Sequence, residues 1–92
     1  MNSPVVTPES VRAFLLTRYA DPIRGAGKDP AQIPDNFDFL MEGVIDSLGI
    51  LEMVSAVEKE FGLKLDMEAL DAEEMTILGP FVRYVAAQAA KA

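Results

Sequence analysis

The middle of the chain carries its clearest pattern of apolar and polar positions. Large apolar residues recur there at steps of four, three and four, the spacing of one face of an α-helix. They are Ile50, Val54, Val57 and Phe61. Gly62 follows, and a glycine just past a helix readily adopts the left-handed conformation that ends it. The pattern predicts an amphipathic helix that ends at Gly62 and needs partner helices to cover its apolar face.

Further residues of this helix are assigned by the same count. Leu48 and Leu51 are predicted to broaden the apolar stripe, and Met53 to add another apolar position. Glu52 and Glu58 fall off the stripe and are expected to face solvent. Burying each large apolar side chain contributes roughly 1.5–3 kcal/mol, so the stripe is expected to lie against the core.

The start of this helix combines a hydroxyl with an acid. Asp46 or Ser47 can cap it, because either side chain can accept a hydrogen bond from an unpaired N–H group of the first turn. The same N–H groups and the helix dipole favour an anion there by ~0.3–1 kcal/mol at an exposed site. The position of Ser47 therefore suits a phosphate, and the plainer alternative is that Ser47 is only a cap.

A first helix is predicted from Thr7, a good N-cap, and Pro8, which suits the first helical position. It should stop near Ala20, because the next residue precedes Pro22. Arg12 and Arg18 are expected to point away from the core. The apolar face comprises Val11, Phe14, Leu15 and Tyr19.

Residues 21–45 are predicted to be irregular, because three prolines and two glycines interrupt any long element. Four apolar residues could attach this long loop to the core. They are Ile33, Phe37, Phe39 and Leu40. Residues 25–28 (GAGK) lack the spacing of a phosphate-binding loop, and residues 35–46 lack that of a calcium loop. We therefore expect no nucleotide site and no metal site.

After the central helix, residues 63–66 are predicted to be an extended connector. Residues 67–75 could form one or two short helical turns, with Leu70 and Met75 facing inward. Four of the five methionines are expected near the core, where they could make it adaptable. They are Met41, Met53, Met67 and Met75.

A final helix should begin between Thr76 and Pro80, because a proline must lie in the first turn. Residues 89–92 are expected to fray, and Tyr84 to be half-buried. The inner stripe comprises Phe81, Val82, Val85 and Ala89. The fold predicted from these elements is all-α, a small three-to-four-helix bundle with a long first loop.

Composition limits the function. The 92 residues contain 15 acidic and 8 basic side chains, a net charge of −7, which argues against nucleic acid and anionic membranes and favours partners with basic faces. Because the chain has no histidine and no cysteine, the commonest general base and thiol nucleophile are missing. No signal peptide or membrane span is visible. We expect one domain over residues 1–92, ordered over about 7–88, monomeric and cytoplasmic, and not an enzyme.

The motif GVIDSLG at residues 43–49 opens the central helix, and the motif EKEFG at 58–62 closes it. Together with the acidic charge, the length and the last helix, they resemble the acyl and peptidyl carrier proteins of the phosphopantetheine-binding family. The resemblance covers roughly residues 37–85 well. Gly49 and Lys59 stand where the best-known fatty-acid carriers commonly have acids, so the motif is more similar to stand-alone carriers of specialised pathways.

The resemblance implies a specific chemistry. Ser47 would carry 4′-phosphopantetheine, transferred from coenzyme A by a separate transferase, and the thiol of that arm would hold an acyl or aminoacyl group as a thioester. Asp46 would lie beside the phosphate and help the transferase engage, and Leu48 would contact partner enzymes. The partners would be that transferase, a loading ligase and synthase or transferase enzymes of fatty-acid, polyketide or other specialised biosynthesis.

Two glutamates and two apolar residues of the helix are candidate partner contacts. Glu52 and Glu58 could form an acidic strip that partners recognise, with Leu48 and Met53 as its apolar counterpart. Ordinary solvated surface is the alternative for both glutamates. A second hypothesis for the whole chain is an unmodified acidic helical adaptor or regulatory module, which keeps the fold without the serine chemistry.

Overall fold

Four α-helices build the fold in this computed structural model, which describes residues 5–66 and 74–91. They are α1 (Pro8–Arg18), α2 (Ala20–Gly25), α3 (Ser47–Phe61) and α4 (Leu78–Lys91). Short 3-10 turns at Pro30–Gln32 and Glu74–Thr76 complete the helical elements. No strand forms in these two ranges, and the predicted all-α bundle with a long first loop is confirmed.

The start of α1 follows the predicted capping pattern. The Thr7 hydroxyl accepts the Ser10 N–H at 3.0 Å, and the Ser10 hydroxyl accepts the Thr7 N–H at 2.9 Å. Val11 and Leu15 are buried, whereas Phe14 and Tyr19 are half-buried. The cap and the apolar face of α1 are therefore confirmed.

The segment after α1 corrects one prediction. The chain is helical again from Ala20 to Gly25, where irregular structure was predicted. Tyr19 serves as both the C-cap of α1 and the N-cap of α2. Pro22 lies in the first turn of α2, where its missing N–H group has no partner to lose. The helices are therefore separated at Tyr19, and the proline lies within the second helix rather than starting a loop.

One hydrophobic core joins the helices and the loop. Phe14 of α1 meets Phe61 of α3 edge to face, with ring centroids 5.6 Å apart. Ile33, Phe37 and Phe39 are buried, as predicted, and attach the loop to this core. Leu40 is exposed, and its predicted role in this attachment is wrong.

Asp35 ties the loop to both α1 and α4. Its Oδ1 accepts a hydrogen bond from the Arg12 guanidinium at 2.7 Å, and its Oδ2 lies 3.7 Å from Arg83. Arg12 also donates to the Ile33 carbonyl, so it crosses the loop instead of extending freely into solvent. The Asp35 carbonyl accepts the Gly79 N–H at 2.8 Å. A Cβ atom at Gly79 would lie 2.9 Å from that of Asp35, so this contact requires glycine.

The chain after α3 agrees with the predictions over most of its described length. Gly62 is left-handed at φ 66°, residues 63–66 form a connector without regular secondary structure, and Met75 is buried. The predictions for Met67 and Leu70 lie outside the described residues.

The last helix departs from its prediction only at its end. Phe81, Val82 and Val85 are buried and Tyr84 is half-buried, as predicted. The helix continues to Lys91, so the expected fraying is wrong for residues 89–91, and Ala92 lies outside the described residues. None of the described helices combines the length and apolarity that crossing a membrane requires.

Candidate functional site

Asp46 caps α3, and Ser47 is its first residue. The Asp46 backbone is extended, and its Oδ1 accepts the Gly49 N–H at 2.7 Å. The Ser47 side chain is exposed, and its hydroxyl has no hydrogen-bond partner among the described residues. The alternative that Ser47 serves only as the cap is therefore wrong, because the neighbouring carboxylate caps the helix.

The first turn of α3 also has backbone N–H groups without hydrogen-bond acceptors among the described residues. Within the described part of the chain, neither the Ser47 N–H nor the Leu48 N–H has an acceptor. Unpaired first-turn N–H groups and the positive end of the helix dipole stabilise an anion in front of them. An oxygen-linked phosphate on Ser47 would lie at this helix end, next to the residue Asp46, which is itself exposed.

The residues just before Ser47 fix its position. The Phe39 carbonyl accepts the N–H groups of both Val44 and Ile45, at 2.9 and 3.1 Å. Val44 and Ile45 are buried. A Cβ atom at Gly49 would lie only 2.9 Å from the Ile45 Cβ, so the first turn of α3 packs closely on this anchor. Ser47 therefore sits on a supported corner with its hydroxyl outward.

The apolar residues of α3 divide differently from the predicted stripe. Leu48 is 72% exposed and Leu51 is 53% exposed, so neither broadens the buried face. Met53 is 1% exposed and belongs to the core. A core side chain cannot contact a partner while the bundle is intact, so the predicted partner contact at Met53 is wrong. Leu51 is the exposed apolar residue that accompanies Leu48.

The two glutamates do not lie on one strip. Glu52 is exposed and forms no ion pair with a described residue. Glu58 is half-buried, and its Oε2 accepts the Leu65 N–H at 2.8 Å. Six residues of α-helix separate them by about one and two-thirds turns, so they project in different directions. Glu52 therefore remains a predicted partner contact, and Glu58 holds the connector after α3.

The exposure of Leu48 could have been predicted from the sequence, whereas that of Met41 could not. Leu48 lies nine residues before the buried Val57, about two and a half helical turns, which puts it on the opposite side of α3. Met41, expected near the core, is 80% exposed. It lies in a turn without helical periodicity, so no spacing in the sequence reveals its exposure.

Metal ligands do not gather at this corner. No group of three acidic side chains able to hold an ion occurs among the described residues. Asp46 is the one carboxylate directly beside Ser47 in the sequence, and the residue is exposed. The arrangement can present a hydroxyl and stabilise a phosphate.

Comparison with known proteins gives two concordant matches. The family model described as "Phosphopantetheine attachment site" matches residues 26–78. The acyl carrier proteins of Helicobacter pylori strains G27 and HPAG1 are each 32% identical over 57 residues, covering 62% of this chain and 70% of theirs. No solved structure matches the chain significantly.

Proposed function

Because this chain belongs to the phosphopantetheine-attachment family of carrier proteins, which bear that group covalently and are not enzymes, we propose that its attachment point is the hydroxyl of Ser47. The observation that carries the proposal is the exposed, unengaged hydroxyl at the start of α3, inside the matched range. Asp46 is the proposed transferase contact, because it is exposed and directly precedes Ser47.

The proposed modification balances as a phosphoryl transfer. The Ser47 oxygen forms a bond to the phosphorus next to the pantetheine of coenzyme A, and the phosphoanhydride bond of that phosphorus breaks. The nucleotide half leaves with the bonding electrons, and a base of the transferase or water takes the serine proton. The chain supplies the nucleophile and, through the Ser47 and Leu48 N–H groups, a favourable field for the phosphate.

The proposed role of the loaded protein is to hold an acyl or aminoacyl group as a thioester. The chain has no cysteine, so the thiol belongs to the arm and the catalysts are partner enzymes. Carrier proteins work with a phosphopantetheinyl transferase and biosynthetic enzymes. For this chain, a loading ligase and a synthase of fatty-acid, polyketide or other specialised biosynthesis are proposed partners. A cytoplasmic location and a single monomeric domain over residues 1–92 stay predictions.

The test is the intact mass before and after incubation with coenzyme A and a broad-specificity phosphopantetheinyl transferase. Wild type should gain one phosphopantetheine, and Ser47→Ala should gain none while staying folded. Ser55→Ala is the matched control, because Ser55 is also exposed on α3 but lies away from the unpaired first-turn N–H groups. No gain by folded wild type across several transferases would favour the unmodified adaptor. A gain that Ser47→Ala keeps would move the attachment point elsewhere.

A further inference from the structure

The loop between α2 and α3 caps the start of α4. The residue before this helix, Ile77, has no side-chain oxygen that could accept an N–H group of the first turn. The Leu78 N–H donates instead to the Phe37 carbonyl at 2.9 Å, and the Gly79 N–H donates to the Asp35 carbonyl at 2.8 Å. Backbone carbonyls of the loop therefore replace the missing side-chain cap, and the loop cannot leave α4 without depriving both N–H groups of their acceptors.

The contact between loop and helix start continues towards the middle of the chain. The two stretches run antiparallel, and the Phe39 N–H donates to the Thr76 carbonyl at 2.8 Å. We call the contact of residues 35–39 with residues 76–79 the loop–α4 pairing. The Phe39 side chain is buried, so the pairing lies against the core rather than on a free edge.

Phe39 connects the loop–α4 pairing to the attachment site. Its N–H belongs to the pairing, whereas its carbonyl accepts the N–H groups of Val44 and Ile45. Both of these residues are buried, and Ile45 lies two positions before Ser47. Backbone hydrogen bonds therefore link the start of α4 to the corner that carries the hydroxyl.

The first turn of α3 provides little anchoring of its own. Ser47, Leu48 and Leu51 are exposed, and Ile50 is only half-buried. The first large side chain of α3 that is fully buried is Met53, six residues after the serine. The place of the hydroxyl is therefore set mainly by the chain that precedes the helix.

We propose that the loop–α4 pairing positions Ser47 for modification, with Gly79 and Asp35 as positioning residues. This inference rests on the proposed attachment at Ser47. A Cβ atom at Gly79 would lie 2.9 Å from the Asp35 Cβ and 3.1 Å from the Asp35 carbonyl oxygen. Any larger residue there pushes the loop away from α4, and Phe39 transmits this displacement to the corner.

Such a displacement has a kinetic signature. Transfer to phosphorus requires the attacking oxygen to be placed accurately, and a misplacement of about 1 Å can slow a reaction about 100-fold. The substitution leaves the exposed side chains near Ser47 unchanged, so binding of the transferase is preserved. The loss therefore falls on kcat and not on KM.

The first test is the steady-state rate of mass gain with coenzyme A and a broad-specificity phosphopantetheinyl transferase. For Gly79→Ala we expect kcat to fall about ten-fold, with KM for the carrier within about two-fold of wild type. Gly25→Ala is the matched control, because a Cβ atom at Gly25, the last residue of α2, meets nothing within 4 Å. Its kcat and KM should equal those of wild type.

The second test is amide hydrogen exchange of the unmodified protein, which separates positioning from a general loss of stability. In Gly79→Ala the Val44 and Ile45 amides should exchange faster by a larger factor than the amide of Val57, a core residue in the middle of α3. A general loss of stability would accelerate all three amides by the same factor.

Asp35→Ala is a gentler variant that decides the proposal if Gly79→Ala does not fold. It keeps the backbone and removes the carboxylate that Arg12 and Arg83 approach at 2.7 and 3.7 Å. Because these ion pairs are solvent-exposed, the variant should fold. Its kcat should fall about two- to three-fold, with KM unchanged.

Three results would overturn the proposal. They are a wild-type kcat for the folded variants, a loss of kcat as large in Gly25→Ala as in Gly79→Ala, and equal acceleration of the Ile45 and Val57 amides. If wild type itself gains no mass, the proposed function fails instead. The exchange measurement does not need the transferase, so it still decides whether the start of α4 holds the corner, and the two failures are distinguishable.

Discussion

At the first turns of α3, Leu48 and Leu51 lie in solvent, whereas at its last turn Phe61 is buried against Phe14. Both ends of the helix carry large apolar side chains, but two of those in the first turns remain exposed. The apolar side chains near Ser47 are available to a partner, because the buried residues of the helix already attach it to the bundle.

The carboxylates of α3 divide in the same way. Asp46 caps the first turn through the Gly49 N–H, and Glu52 is exposed without an ion pair to a described residue. Glu58, one turn before the end, holds the Leu65 N–H at 2.8 Å. Exposed side chains therefore lie near the start of α3, and side chains that hold the bundle together lie near its end.

The largest expected effect is on stability, and it comes from comparing substitutions of Phe61 and Leu51 near the two ends of α3. Phe61→Ala should lower the free energy of unfolding by about 3–5 kcal/mol, because it removes buried surface and leaves a cavity beside Phe14. Leu51→Ala should change it by less than about 0.5 kcal/mol, since the side chain is already in solvent. Urea titration followed by circular dichroism measures both.

If Phe61→Ala does not fold, Phe61→Leu gives the same comparison with a smaller loss. The substitution that matters less for stability should matter more in the transferase assay. Leu51→Ala should be modified more slowly than wild type, and folded Phe61→Leu should be modified at the wild-type rate. Equal losses of stability for Leu51→Ala and Phe61→Ala would show that the exposed end also supports the core. The two ends of α3 would then not differ in their contribution to stability.

The carboxylate pair should give a smaller effect on stability. Glu58→Lys should cost about 1 kcal/mol, because the Leu65 N–H loses a charged acceptor while the new cation gains from the nearby helix C-terminus. Glu52→Lys should stay within about 0.5 kcal/mol of wild type. Modification by the transferase should be several-fold slower for Glu52→Lys at low salt, and this difference should shrink as ionic strength rises.

The transferase assay also tests whether Glu52 and Glu58 have different roles. The sequence predicts Glu58 as a partner contact, and its bond to the connector gives it a structural task as well. Glu58→Lys should be assayed at a temperature where urea titration shows it fully folded. If modification of Glu58→Lys is slowed as much as that of Glu52→Lys, Glu58 is also a contact of the transferase.

Helical periodicity predicted the elements that bury one face and failed where burial depends on contacts distant in sequence. It identified α1, α3 and α4, because each repeats apolar residues at helical spacing. It missed α2, because a proline that can stop a helix also fits the first turn of one. Leu40 and Phe39 look alike in sequence. Phe39 is the one that contacts distant residues, through its N–H bond to the Thr76 carbonyl and the packing of its ring on Tyr19.

The candidate site was predictable in its chemistry and less so in its surroundings. The motif around Ser47 pointed to a phosphate-bearing serine, and the capping bond of Asp46 leaves that hydroxyl free. The prediction of Met53 as a partner contact used its apolar character and not its position around the helix axis, which places it in the core. The exposure of Met41 depends on hydrogen bonds within a turn, which no periodic pattern encodes.

The smallest expected effect lies at the connector after α3. The Tyr84 hydroxyl accepts the Asp66 N–H at 2.9 Å and donates to the Asp66 carbonyl at 2.5 Å. Tyr84→Phe keeps the ring and removes both bonds, so it should cost about 0.5–1 kcal/mol. Amide exchange should accelerate at Asp66 and stay unchanged at Gly49, whose N–H is held by Asp46 at the other end of α3. Acceleration at both amides would mean that the two ends open together, and Ser47 would then depend on the connector for its position.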